Sequence, residues 1–183
     1  MKKISFYKQH DEMDCGPTCL KIILNYYGKN VSSSYINQLS NTNKLGTSLK
    51  SISNVAEKIG FKTLGVILDF DKLKDKAPLP LIVYWKQKHF VVVYKIKKNK
   101  IYVADPSIGK VVYTKTEFLK GWYESSVSNE GIALLFEPTE ALNSFESELT
   151  NNKKGFSFLY NYVKKYNRVV SHKVCKPIKS YSE

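Results

Sequence analysis

Residues 9–27 read QHDEMDCGPTCLKIILNYY, and the change of character at Cys15 decides how the chain is to be folded. Up to Asp14 the stretch is polar. From Cys15 onward, apolar groups stand at 19, 20, 22, 23, 24, 26 and 27, the density of a largely buried helix, with Gly28 as its stop. A helix that begins at Cys15 presents unpaired N–H groups and about half a positive charge beside the thiol. Both favour a thiolate, the form in which cysteine is a nucleophile. Asp14 reads as the N-cap, and Pro17 fits a first turn. The plain alternative is an ordinary buried cysteine, for which a charged neighbour such as Asp14 is unusual.

Outward from this helix, the first half of the chain stays helical. A short helix is expected over 32–40. Another opens at 47–50, with Leu49, Ile52, Val55, Ala56 and Ile59 at helical spacing and Gly60 as its stop. The second half changes period. β-Branched and aromatic runs at 62–68, 81–85, 89–96, 100–105 and 110–113 predict strands, with hairpin turns at 97–100 and 106–109. A short helix over 114–122 and a strand over 131–136, closed by Pro138, complete the pattern. Helices followed by a mostly antiparallel sheet make an α+β fold. The expected organisation is a domain over 1–140, a polar linker over 141–154, and a basic amphipathic helix and tail over 155–183. In that helix Phe156, Leu159, Tyr160, Val163, Tyr166 and Val170 recur at three- and four-residue steps, with Lys164, Lys165 and Arg168 between them. The pattern suits a membrane surface, this domain or a partner equally well.

Composition excludes several classes. Of 183 residues, 43% are hydrophobic and 13% aromatic, which is not a disordered composition. No run approaches the roughly 18 consecutive apolar residues of a membrane span, and the basic N-terminus has no apolar run behind it to make a secretory signal. A cytosolic setting is therefore expected. The net charge of +13 is uneven: residues 1–150 hold 21 basic and 15 acidic side chains, residues 151–183 eight basic and one acidic. Such a tail is either solvated or meets an anionic surface. The lysines are scattered and no recognition motif appears, so nucleic acid is not an expected partner. Three cysteines, Cys15, Cys19 and Cys175, with no secretory signal argue against a disulfide framework. Cys15 and Cys19 share a helix face, but zinc needs further ligands that no suitably spaced Cys or His provides, and redox pairs use a tighter spacing. No metal or cofactor is expected, and Cys19 reads as core.

A nucleophilic thiolate needs a base. His10 lies five residues before Cys15 and His172 lies in the basic tail. His89 opens the apolar strand His-Phe-Val-Val-Val-Tyr. A polar first residue can simply face solvent. A strand end can also hold an imidazole rigidly at a cleft, as base catalysis requires. Asp105 ends the strand at 100–105, immediately before Pro106. If 89–96 and 100–105 form a hairpin, their outer ends lie side by side and Asp105 meets His89 there, ready to fix its tautomer. An Asp before Pro also initiates turns, and both roles can hold. Gln9, six residues before Cys15, can supply an amide N–H that joins the Cys15 backbone N–H as an oxyanion hole.

Three ordered motifs now stand together: Gln9-x4-Asp14-Cys15-Gly16-x2-Cys19-Leu20, then His89-Phe90-Val91-Val92, then Asp105-Pro106-x2-Gly109. Over residues 4–138 the sequence resembles the bacteriocin-processing, double-glycine-leader cysteine peptidase domain of peptidase-containing ABC transporters. The resemblance implies a papain-like fold. It implies that Cys15 attacks the carbonyl of the second leader glycine, His89 shuttles the proton, Asp105 orients His89 and Gln9 completes the oxyanion hole. It implies as partners a leader peptide, bound as an amphipathic helix in a hydrophobic groove, and the membrane and nucleotide-binding domains of a transporter. The site of action would be the cytoplasmic side of the bacterial cell membrane, with residues 155–170 touching its surface. This chain has no Gly-x-x-x-x-Gly-Lys-Ser/Thr phosphate loop, so ATP would belong to the transporter alone. The sequence departs from the family where eight residues separate Trp122 from Gly131, which implies a longer loop. The rival function is a peptidase-like domain that binds the transport substrate without cutting it; known relatives of that kind lack the cysteine.

Overall fold

In the computed structural model, which describes residues 4–40, 47–86, 88–123 and 129–145, the helix of the opening stretch spans Cys15–Tyr26 (α1). A three-residue 3-10 turn, Glu12–Asp14, leads into it. Nine of its first ten residues are buried, all but Lys21, which accounts for the density of apolar groups after Cys15. Gly28, at φ +85°, turns the chain away. Asp14 departs from its expected role. It makes no side-chain cap, because the 3-10 turn runs straight into the helix and leaves Asp14 at φ −89°, ψ 4°, rather than in the extended geometry a capping side chain needs. Its Oδ1 instead accepts a hydrogen bond from Asn37 Nδ2 at 3.1 Å.

Two more helices pack beside α1: α2 (Ser33–Ser40) and α3 (Leu49–Ile59). Ser48 caps α3 by accepting from the Ser51 N–H. Gly60 ends it at φ +113° in a place where a Cβ would sit 2.4 Å from the Leu142 backbone nitrogen.

Six strands follow: β1 (Phe61–Leu68), β2 (Leu81–Trp85), β3 (His89–Lys97), β4 (Lys100–Asp105), β5 (Gly109–Thr114) and β6 (Gly131–Pro138). They form one sheet in the order β1-β6-β2-β3-β4-β5. Every pairing is antiparallel, so β6 returns to sit between β1 and β2. Period-two alternation gives the sheet two apolar faces. Phe61, Ile82, Phe90, Val92, Leu134 and Phe136 meet α1, α2 and α3. Leu81, Val83, Val91, Val93, Ile101 and Val103 face the other way, under α4 (Phe70–Asp75) and α5 (Lys115–Trp122), which contribute Phe70, Leu73, Phe118 and Trp122. Thr114 and Glu117 close a capping box at the start of α5. Helix α4 was not expected: six residues are too few to show a helical period, although its cap, Asp69 accepting from the Lys72 N–H at 2.8 Å, is of the usual kind.

Where a linker was expected from 141, the chain is still helical. Residues Glu140–Ser144 form α6, with Leu142 only 2% exposed. Lys29 Nζ donates to the carbonyls of Asn143 and Phe145, placing a cation on the last acceptors of that helix. A five-residue helix with one buried leucine reads as polar linker in sequence, and only this docking reveals it. The rest of the expected linker, the amphipathic helix over 155–170, His172 and Cys175 lie outside the described residues. All described residues belong to one unit of the chain, 1–147. Among them no helix is long and apolar enough to cross a membrane.

Candidate active site

Cys15 is the first residue of α1 and is 6% exposed. Gly16 beside it lets α3 come close: a Cβ there would lie 2.9 Å from Ile52 Cδ1 and 3.1 Å from Thr47 Cβ. His89 opens β3, onto which α1 packs. Asp105 ends β4. His89 Nε2 lies 2.8 Å from Asp105 Oδ1, with Asp105 buried and the His89 side chain 21% exposed. The Cys15 side chain lies close enough to the ring to help raise its pKa. Because Nε2 is occupied by Asp105, Nδ1 is the nitrogen left for the thiol. Sequence reasoning brought these three residues together, and they stand in a row.

The hairpin reasoning had the right partners but lacked one feature that makes them meet. At the tip, Ile96 pairs with Ile101. Ile96 and Ile101 both belong to the α5 side of the sheet. Counting back in twos from Ile96 along a regular strand would put His89 on the opposite face from Asp105. The register slips between Val93 and Lys95, leaving Tyr94 as an extra residue. Beyond this bulge Val93 and Val91 share the face of Val103 and Ile101. His89 and Asp105 therefore fall in the same phase. Bulges near sites commonly re-aim a side chain in this way. No signal in the sequence marks Tyr94 as the extra residue.

Ser107 is a second feature the sequence reading passed over, taking it only as part of a turn. Its backbone N–H, at 2.9 Å, and its hydroxyl, at 2.6 Å, both donate to Asp105 Oδ1, the same oxygen that faces His89. The signal was available, since an Asp whose side chain binds the backbone two residues on is a common turn former. Gln9 approaches from the N-terminal segment. Its backbone N–H donates to the Pro106 carbonyl at 3.0 Å, and Lys110 Nζ holds the same segment through the Ile4 carbonyl at 2.6 Å. Gln9 Oε1 is buried and accepts no hydrogen bond. Cys19, read as core, is fully buried, and its thiol donates to the Phe90 carbonyl at 3.2 Å.

The electrostatics follow from the row. Burial alone would lower the pKa of His89. Hydrogen bonds to Asp105 and then to Cys15, with the negative charge of each, reverse that and raise it from 6.5 to about 9. For Asp105, burial pushes the carboxyl up, but the bonds from His89 and Ser107 outweigh it and hold the carboxyl below its ordinary value. At neutral pH, His89 is thus an imidazolium with a carboxylate on one side and the sulfur on the other. A Cys–His pair whose base is oriented by a third group is an arrangement for nucleophilic attack on a carbonyl.

Comparison with known proteins agrees with this chemistry. A family model described as the peptidase C39 family matches residues 3–141. The chain belongs to that family. Its members are cysteine peptidases. The lactococcin-G-processing and transport ATP-binding protein of Lactococcus lactis is 33% identical over 181 residues, covering 91% of this chain. The colicin V secretion/processing ATP-binding protein of Escherichia coli is 26% identical over 174 residues, covering 95%. The chain spans 24% and 23% of these relatives' own lengths. Among solved structures, a double glycine motif protease from an AMS/PCAT transporter, in complex with its leader peptide, matches with a TM-score of 0.69 and 28% identity, over 75% of this chain and 94% of that one. The peptidase domain of Streptococcus ComA, a bi-functional ABC transporter of a quorum sensing pathway, matches with a TM-score of 0.66 and 30% identity, over 75% of this chain and all of that one. On either side of the stretch where a longer loop was expected the chain stays together: Tyr123 bridges to Gly131, and the Trp122 indole N–H donates to the Ile132 carbonyl.

Proposed function

We propose that this peptidase removes double-glycine leader peptides from bacteriocin or signalling-peptide precursors, with Cys15 as nucleophile, His89 as general base and acid, Asp105 as the group that orients His89, and Gln9 as an oxyanion donor. The observation that carries the reading is the Cys15–His89–Asp105 row in a chain of this family. The Cys15 sulfur attacks the carbonyl carbon of the second glycine. The carbonyl oxygen takes up negative charge, which the Cys15 N–H and the Gln9 amide stabilise. The imidazolium gives its proton to the departing amine, the C–N bond breaks, and a thioester remains on Cys15. Water, deprotonated by His89, then attacks the thioester and releases the leader acid and the thiol. No step calls for a metal or cofactor. A narrow cleft beside Cys15, admitting backbone without Cβ atoms and excluding anything larger, would explain a Gly-Gly requirement.

An ABC transporter, in cis or in trans, is the working partner in this reading, which the processing and transport or secretion functions in the relatives' names support. The membrane and nucleotide-binding domains supply transport and use ATP, and this chain acts at the cytoplasmic face. Contact of residues 155–170 with the membrane surface belongs to the same proposal. The test is incubation of the wild type and Cys15→Ala with a double-glycine precursor, read by mass spectrometry. Wild type should cut after Gly-Gly and the variant should not. Binding without cutting by the wild type would instead identify a substrate-binding domain.

A further inference from the structure

The row just described needs its members held at a fixed spacing, yet they come from different elements. His89 and Asp105 are joined by the β3–β4 hairpin. Cys15 arrives on α1, which is not part of the sheet. The β3–β4 ladder stops at Val92–Ala104, so Phe90 and His89 lie past its last rung. At that place the Cys19 Sγ donates to the Phe90 carbonyl at 3.2 Å. Cys19 is one helical turn after Cys15 and on the same face. Phe90 is the residue after His89. The bond therefore joins the turn beneath the nucleophile to the residue beside the base.

We propose that Cys19 is a positioning residue, whose thiol ties α1 to the start of β3 and so sets the separation of Cys15 from His89. A thiol is a weak donor, so its contribution is to placement more than to stability. The donor is also a durable one. Burial, with Cys15 and Asp105 adding to it, pushes the Cys19 pKa well above its usual value, so the S–H persists where Cys15 reacts. Zero exposure likewise keeps Cys19 from competing with Cys15 for substrate or alkylating agents.

The inference rests on the reading of Cys15 and His89 as nucleophile and base, and its test separates the two. Cys19→Val fills the space without a donor, Cys19→Ala removes both volume and donor, and Cys19→Ser keeps a donor. Two readouts are taken on the full chain: alkylation of Cys15 by iodoacetamide against pH, located by peptide mass spectrometry, and kcat and KM on a double-glycine peptide. Thermal unfolding is followed alongside. Misplacing a catalytic group by about 1 Å costs on the order of 100-fold. We expect Cys19→Val to keep its melting temperature within a few degrees while kcat and Cys15 alkylation at pH 7 fall about tenfold or more, with KM unchanged and Cys19→Ser recovering most of the loss. Should Cys19→Val not fold, the comparison of Ser with Ala carries the same test. Wild-type rates in Cys19→Val, or losses in all three variants that merely track their melting temperatures, would reduce Cys19 to packing. A wild type that shows the alkylation pattern but cuts no double-glycine peptide would refute the substrate, not the tether.

Discussion

Replacing Asp105 by Asn and by Ala should give two sharply different enzymes. Oδ1 of Asp105 faces three donors at once: His89 Nε2 at 2.8 Å, the Ser107 N–H at 2.9 Å and the Ser107 hydroxyl at 2.6 Å. In Asp105→Asn only the amide oxygen can satisfy that set, so the NH2 is forced away and His89 keeps an acceptor in place. What is lost is charge. A hydrogen bond to a charged acceptor contributes about 1.5–3 kcal/mol and one between neutral groups about 0.5–1.5, a difference of roughly 1 kcal/mol, or about fivefold to tenfold in rate. In Asp105→Ala the ring loses its acceptor and its orientation, and a drop on the order of 100-fold or more in kcat is expected. Asp105→Ala removes the hydrogen bond that contributes most to raising His89 from 6.5 to about 9, and Asp105→Asn removes the negative charge beside it, so the alkaline limb of the rate profile should move toward neutral pH in each, and further in Asp105→Ala. The assay is the pH dependence of kcat/KM on a double-glycine peptide for the three proteins. Equal inactivity of Asn and Ala, or an alkaline limb unmoved in both, would refute the reasoning.

The same pair predicts a stability profile. Because the folded pKa of His89 is raised, its contribution is complete below about 6.5 and is lost as pH climbs toward 9, and because that of Asp105 is lowered, its share holds above 3.8 and is lost on acidification; denaturant midpoints should fall at both ends, and less so in Asp105→Ala. Gly16→Ala should destabilise by about 1–3 kcal/mol and lower activity, since the new Cβ would press on Ile52 and Thr47 beside the nucleophile, as thermal melting and cleavage assays would show. Leu142→Ala should cost about 2–5 kcal/mol in urea unfolding if α6 is part of the packed body, and almost nothing if 141–145 were linker.

Strong local signals made much of the architecture legible. The apolar run after Cys15, the stops at Gly28 and Gly60, and the β-branched runs at 81–85 and 100–105 each announce an element through burial or backbone freedom. Elements too short to display a period, α4 and α6, did not announce themselves. The insertion of β6 between β1 and β2 is a matter of long-range pairing that no local pattern encodes. At the site, residue types pointed to Cys15, His89 and Asp105 and the hairpin brought the last two to one edge. The details that depend on pleat phase and on individual hydrogen bonds were beyond reach: the bulge at Tyr94, the double donation from Ser107, the thiol of Cys19 and the displaced role of Asp14.

The central claim is that Cys15 is the nucleophile for a Gly-Gly carbonyl. A peptide chloromethyl ketone ending in Gly-Gly, incubated with the full chain at neutral pH and followed by peptide mapping, tests it directly. A single adduct on Cys15, absent in Cys15→Ala and slowed in His89→Ala, is the predicted result. An adduct on Cys19 or Cys175, or labelling of Cys15 that is indifferent to His89, would contradict it.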